Sequence, residues 1–212
     1  MTVQEQWQRM LSLMPLVAIL RGLKPAEAID VAGALKEAGF LCLEIPLNSP
    51  DPFSSVALLT EKFGDQLLVG TGTVLTEADV RASHKAGAKF IVSPNVNAAA
   101  IRATKSLGLI SFPGFATPTE AFAALDAGAD ALKLFPAEAA SASVLRAMKA
   151  VLPAGCPVFP VGGITTGNMG DYHAAGAAGF GIGSAIYKSG VTANAVRERA
   201  ETFVQAWHNL RR

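Results

Sequence analysis

The 212-residue sequence predicts an α/β fold: a single (β/α)8 TIM barrel over residues 1–212, with an extra N-terminal helix over 1–14. Three observations lead there. Eight short apolar runs recur roughly every two dozen residues, and continuous runs of that kind suit strands buried on both faces. Longer amphipathic segments separate the runs, and several of them close on a glycine. The 20 glycines and 12 prolines, in a chain that is 50% hydrophobic, break the sequence too often for a helix bundle.

The apolar runs span residues 16–20, 42–47, 67–70, 90–93, 109–112, 131–135, 158–161 and 180–183. Pro94, Pro113 and Pro136 follow the fourth, fifth and sixth, where a missing N–H stops a ladder. Between runs, Pro25 stands at a first helical position and Gly39 at the matching end. Thr76 and Thr117 each precede an acidic residue by three, a helix-start pattern. Gly87, Gly108, Gly128 and Gly176 repeat the closing glycine. Trp7, Met10, Leu11 and Met14 recur at helical spacing, so the first segment is expected to pack on the barrel. A doubly wound open sheet is the competing arrangement. It uses fewer strands, and Arg21-Gly22-Leu23 stands where its glycine fingerprint would follow the first strand.

Composition excludes several functions. Eighteen basic and 17 acidic residues leave a net charge of +1, which offers no field for nucleic acid or an anionic membrane. The N-terminus carries Glu5 and Arg9 and lacks a secretory apolar core. The uncharged stretch 150–170 holds three prolines, Pro153, Pro157 and Pro160, and is no membrane span. A soluble cytoplasmic protein is expected. Cys42 and Cys156 lie in apolar stretches without CxxC spacing, as buried reduced thiols do. His84, His173 and His208 form no metal-ligand pattern, and neither a GxSxG elbow nor a Walker loop occurs.

In a (β/α)8 barrel, chemistry belongs at the carboxyl ends of the strands. Lys133 is the one lysine inside an apolar run. Burial there disfavours the ammonium and leaves the neutral amine that attacks carbonyls. Glu44 is the matching carboxylate in the second run, and Arg21, after the first, is a cation available to it. A structural Arg21–Glu44 ion pair and a tunable acid/base are both compatible with that pattern. Thr73, in Gly70-Thr-Gly-Thr73, offers a hydroxyl at the same end. Gly162 and Gly163 follow the seventh run, while Gly181, Gly183 and Ser184 lie on and after the eighth. Those two positions often hold phosphate in such barrels, because glycine lets backbone N–H groups approach the oxygens. Tight barrel closure is the simpler use of the same glycines.

A strand lysine, a strand carboxylate and a phosphate cradle point to Schiff-base chemistry on a phosphorylated keto sugar. With these residues in view, the sequence resembles the class I aldolases that cleave 2-keto-3-deoxy-6-phospho sugar acids. The carrying segments are Leu16–Gly22, Leu43–Pro50, Gly70–Leu75, Phe112–Gly114, Ala131–Glu138 and Pro160–Ile164. The resemblance implies that Lys133 is the Schiff-base lysine and Glu44 the proton-transferring glutamate. Arg21 and Thr73 then contact substrate, and Gly163, Gly183 and Ser184 take its phosphate. It also implies pyruvate and glyceraldehyde 3-phosphate as products, no cofactor, and a homotrimer of cytoplasmic barrels. One segment separates two branches. Where the phosphogluconate-directed branch has Thr-Leu-Arg-Thr, this chain has Ile45-Pro-Leu-Asn-Ser49, so Asn48 replaces an arginine. That form, with Val161, looks like the galactonate-directed branch. Alternatives are cleavage of the gluconate epimer, a sugar-phosphate epimerase or isomerase using Glu44 as base, and a non-catalytic phosphosugar-binding barrel.

Overall fold

The computed structural model describes residues 1–211. Helix α1 (Val3–Leu13) leads into β1 (Leu16–Ile19), α2 (Pro25–Ala38), β2 (Cys42–Pro46), α3 (Pro52–Phe63) and β3 (Leu68–Gly72). Next come α4 (Glu77–Lys85), β4 (Phe90–Val92), α5 (Ala98–Ser106), β5 (Ile110–Phe112) and β6 (Gly114–Phe115). The last third holds α6 (Pro118–Asp126), β7 (Leu132–Leu134), a 3₁₀ turn (Ala137–Ala139) and α7 (Ala142–Lys149). It ends with β8 (Val158–Pro160), α8 (Met169–Ala174), β9 (Phe180–Ile182) and α9 (Ala193–Leu210).

Each of the eight apolar runs contains strand, and every pairing in the two sheets is parallel. The fifth run departs from expectation. Instead of stopping at Pro113, the chain resumes as β6, and the strands divide into a six-stranded sheet, β5-β4-β3-β2-β1-β9, and a three-stranded one, β6-β7-β8. The cause is local. Pro113 has no N–H to continue the ladder with β4, but its carbonyl accepts the Lys133 N–H at 2.9 Å, so the chain changes partner to β7. Gly114 makes the passage possible, since a Cβ there would lie 2.5 Å from the Pro94 carbonyl oxygen. An isolated parallel bridge, Val161 to Gly181, links the end of β8 to β9.

The helix boundaries follow the expected chemistry. Thr76 and Thr117 cap α4 and α6 with reciprocal bonds to Asp79 and Glu120. Gly39 ends α2 at a φ of 105°, a conformation that side chains resist.

Side-chain alternation along the strands separates a helix-facing side from an inner side. Leu16, Ala18, Leu43, Ile45, Val69, Leu132 and Leu134 face the helices. Val17, Cys42, Leu68, Phe90, Phe112, Ala131 and Phe159 form a second, inner cluster. Because successive strand residues point to opposite faces, Glu44 shares the inner face with Cys42, and Lys133 shares it with Ala131.

Helix α1 belongs to the inner cluster. Trp7 and Met10 are buried in it, and the Trp7 ring centroid lies 6.2 Å from those of Phe112 and Phe159. Gln6 donates its side-chain amide to the Gly64 carbonyl at 2.6 Å, tying α1 to the end of α3. The helix therefore closes one end of the inner space. Replacing Trp7 with Ala should cost about 3–5 kcal/mol of unfolding free energy, as large-to-small core changes do. Chemical denaturation measures this, and a loss below about 1 kcal/mol would show that the helix is dispensable to the core.

Candidate active site

The inner face turns polar where the apolar cluster ends. Strand β2 carries Glu44, and it is β1 and β3 that hold it in place: Glu44 pairs in register with Ile19 on one side and Gly70 on the other. Both glycines of β3 serve this part of the interior. A Cβ at Gly72 would overlap the Glu44 carboxylate, and one at Gly70 would overlap the Phe90 ring. The Gly-Thr-Gly pattern is thus a clearance requirement. Strand β7 carries Lys133, in register with Gly114 and Phe159.

Glu44 is 2% exposed and Lys133 6%. Among the described residues neither forms an ion pair with the other or with Arg21, so the structural Arg21–Glu44 pair is not formed. The charges still act on one another. Burial pushes the Glu44 carboxyl above its ordinary range, while Lys133 and Arg21 pull it back. Burial lowers Lys133, Glu44 opposes that, and Arg21 reinforces it. The Lys133 ammonium nitrogen lies 4.8 Å from the centroid of the Phe135 ring, an arrangement that favours the cation. Burial thus moves the lysine down and the carboxylate up, toward one another, which is the direction that suits proton exchange between them.

The wall of a nearby cleft of about 580 Å³ includes neither Lys133 nor Glu44, but it does include Phe135, which Lys133 approaches, and Ile19, which pairs with Glu44. Arg21, Gly163, Gly183 and Ser184 line it, so the structure brings these four together. The N–H groups of Gly163 and Ser184 donate to no protein acceptor among the described residues. Gly163 sits at a φ of 62°, and its carbonyl accepts the Asn168 side-chain amide at 2.9 Å. That loop is consequently held with N–H groups available.

Thr73 lies just past β3 and is not part of the cleft wall. Its backbone has a φ of 57°, uncommon for a β-branched residue, and such strain gathers at functional sites. Sequence reasoning missed Glu138, Lys188 and Tyr187, which also line the cleft. Glu138 stands inside one of the segments carrying the resemblance, so it was within reach. For Lys188 the available signal was a cation in the loop after the eighth run.

Cys42 and Cys156 are both free and buried, and burial raises both thiols. The three histidines lie on helices α4, α8 and α9. No cluster of three or more His, Cys, Asp or Glu side chains that could hold a metal ion occurs among the described residues. Among the described residues no helix is long and apolar enough to cross a membrane.

Known proteins are similar to this chain in sequence and fold. A 2-dehydro-3-deoxy-6-phosphogalactonate aldolase of Escherichia coli is 45% identical over 202 residues, 95% of this chain and 97% of that one. The solved structure of a native KDPGal superimposes with a TM-score of 0.92 at 44% identity, over 93% of this chain and 96% of the other. A KDPG aldolase of Legionella pneumophila, solved with pyruvate captured as a covalent carbinolamine, has a TM-score of 0.82 at 27% identity, covering 90% and 94%. Residues 7–201 match the KDPG and KHG aldolase family as a whole. The buried lysine and carboxylate beside a glycine-lined cleft are therefore found in an aldolase, and the chain belongs to the KDPG and KHG aldolase family.

Proposed function

We propose that this chain cleaves 2-dehydro-3-deoxy-6-phospho-D-galactonate to pyruvate and D-glyceraldehyde 3-phosphate through a Schiff base on Lys133. The observation that carries this reading is the buried Lys133, shifted toward its neutral form and sharing the inner face with Glu44. The two sheets, bridged at Val161–Gly181 and joined through Pro113, support a single closed (β/α)8 domain with α1 at one end. A homotrimer in the cytoplasm belongs to the same proposal and rests on the family resemblance.

The chemistry follows from the two side chains. The neutral Lys133 amine attacks the C2 ketone and gives a carbinolamine. Glu44, protonated, delivers its proton to the departing C2 hydroxyl; water leaves and a protonated imine remains. The resulting carboxylate then takes the C4 hydroxyl proton. As that O–H bond breaks, the C4 carbonyl forms, the C3–C4 bond breaks, and its electron pair moves into the imine. Glyceraldehyde 3-phosphate departs, leaving an enamine on Lys133. Glu44 returns the proton to C3, and water hydrolyses the protonated imine, releasing pyruvate, regenerating the amine and handing the freed proton back to Glu44. Arg21, whose charge reaches both groups, is suited to the C1 carboxylate, and Thr73 to a substrate hydroxyl. Gly163, Gly183 and Ser184 receive the phosphate at the far end. Asn48, exposed in the turn after β2, and Val161, buried in the cleft wall, support the galactonate epimer.

Borohydride with pyruvate should reduce the imine and attach three carbons to Lys133, located by peptide mass. An unmodified Lys133 at saturating pyruvate ends the Schiff-base reading and leaves an epimerase or a binding protein. The trapping rate should rise with pH and level off below the ordinary lysine value of 10.5, because burial lowers Lys133.

Glu44→Gln should reduce kcat by about 10²–10⁴, the usual contribution of a positioned acid/base. The Glu44 charge holds Lys133 up, so its removal should move the trapping midpoint to lower pH. A midpoint that stays in place would mean the two groups are uncoupled.

Cleavage of the two C4 epimers, compared by kcat/KM, should favour the galactonate compound. A strong preference for the gluconate epimer would overturn the reading of Asn48.

A further inference from the structure

Two cations line the cleft, and they stand in different relations to the chemistry. Arg21 acts on both Glu44 and Lys133, whereas Lys188 is not among the charges that perturb either. Lys188 lines the cleft together with Gly163 and Gly183, the proposed phosphate end. That end also holds Ser184, four residues earlier in the same loop. Lys188 forms no ion pair among the described residues.

Its backbone is anchored on both sides. Tyr187, 2% exposed, donates its hydroxyl to the Glu27 carboxylate at 2.9 Å. Glu27 also accepts the Lys24 N–H at 3.1 Å at the start of α2. On the other side the Ser189 hydroxyl reaches the Gly22 carbonyl at 3.4 Å. The Ile186 and Tyr187 N–H groups both donate to the Gly183 carbonyl, at 2.9 and 3.1 Å, so the turn from Gly183 to Lys188 is compact. The exposed Lys188 side chain therefore springs from an ordered turn that also carries Ser184.

The charges around the cleft favour such a group. Among the described residues Glu138 is the one acid in the wall, and it packs against Gly162 and Gly163, where a Cβ would meet its side chain. A phosphate held by backbone N–H groups alone would bring two negative charges next to that carboxylate. A net charge of +1 over the whole chain supplies no compensating field.

We infer that Lys188 is the phosphate counter-charge of this cleft, pairing with the phosphomonoester of the substrate and of the aldehyde product. Resting on the placement of phosphate proposed above, it makes Lys188 a determinant of preference for phosphorylated over unphosphorylated aldehydes.

Steady-state condensation of pyruvate with glyceraldehyde 3-phosphate or with glyceraldehyde tests it. Lys188→Gln should raise the KM for the phosphorylated aldehyde about 2- to 5-fold at low ionic strength, as for an exposed charge pair. Its kcat should change less than about twofold. The KM for glyceraldehyde should not move, Lys188→Arg should restore the wild-type value, and inhibition by inorganic phosphate should weaken in parallel. The gap between wild type and Lys188→Gln should narrow as salt approaches about 0.5 M, where screening shortens electrostatic reach. An unchanged KM for the phosphorylated aldehyde refutes the inference, as does an equal rise for both aldehydes. Pyruvate trapping separates the two levels. A wild-type enzyme that traps pyruvate on Lys133 while Lys188→Gln leaves the phosphorylated KM unmoved overturns only the role of Lys188. Failure of trapping overturns the aldolase reading itself.

Discussion

A sheet made wholly of parallel strands needs cover on both faces, since its backbone and side chains have no solvated side to offer. Here the helices supply one cover, and the inner cluster closed by α1 supplies the other. The inner cover is incomplete. Trp7, Phe112 and Phe159 fill one end, and toward the carboxyl ends of the strands the same face presents Glu44 and Lys133. The reactive pair lies where apolar packing stops, so its burial is inherited from the architecture.

That inheritance creates a tension between the two side chains. Loss of hydration favours neutral Lys133 and neutral Glu44, and their mutual attraction favours both charges. A close ion pair would settle the matter in favour of charge and leave the amine unreactive. The pair is kept out of direct contact, and Arg21 adds a positive charge that lowers Lys133 while favouring the carboxylate. Gly70 and Gly72 contribute by absence: side chains there would push Phe90 and Glu44 from their positions.

Much of this could be read from residue order because the signals were redundant. Strands buried on two faces leave long apolar runs, capping residues mark helix starts, and a lysine inside an apolar run stands out against its neighbours. Lys133, Glu44 and the glycines near the cleft were visible for those reasons. What escaped detection depends on geometry between distant segments. Pro113 reads as a strand end, yet its carbonyl serves β7 and the chain changes sheets around it. Lys188 and Glu138 look like solvated charges in loops; only the folded chain shows that they face one cleft. Helix α1 reads as a segment laid on the outside, since amphipathic spacing does not say which core receives its apolar side.

The placement of α1 also bounds the inner space. With Trp7 wedged against Phe112 and Phe159, that space has a floor. In the proposed reaction, the pyruvate fragment is tethered to Lys133 above that floor, while the phosphorylated fragment reaches into the cleft. Once the C3–C4 bond breaks, the aldehyde has no tether and is free to leave first. A helix outside the cleft wall thereby closes the end of the inner space away from the reacting pair.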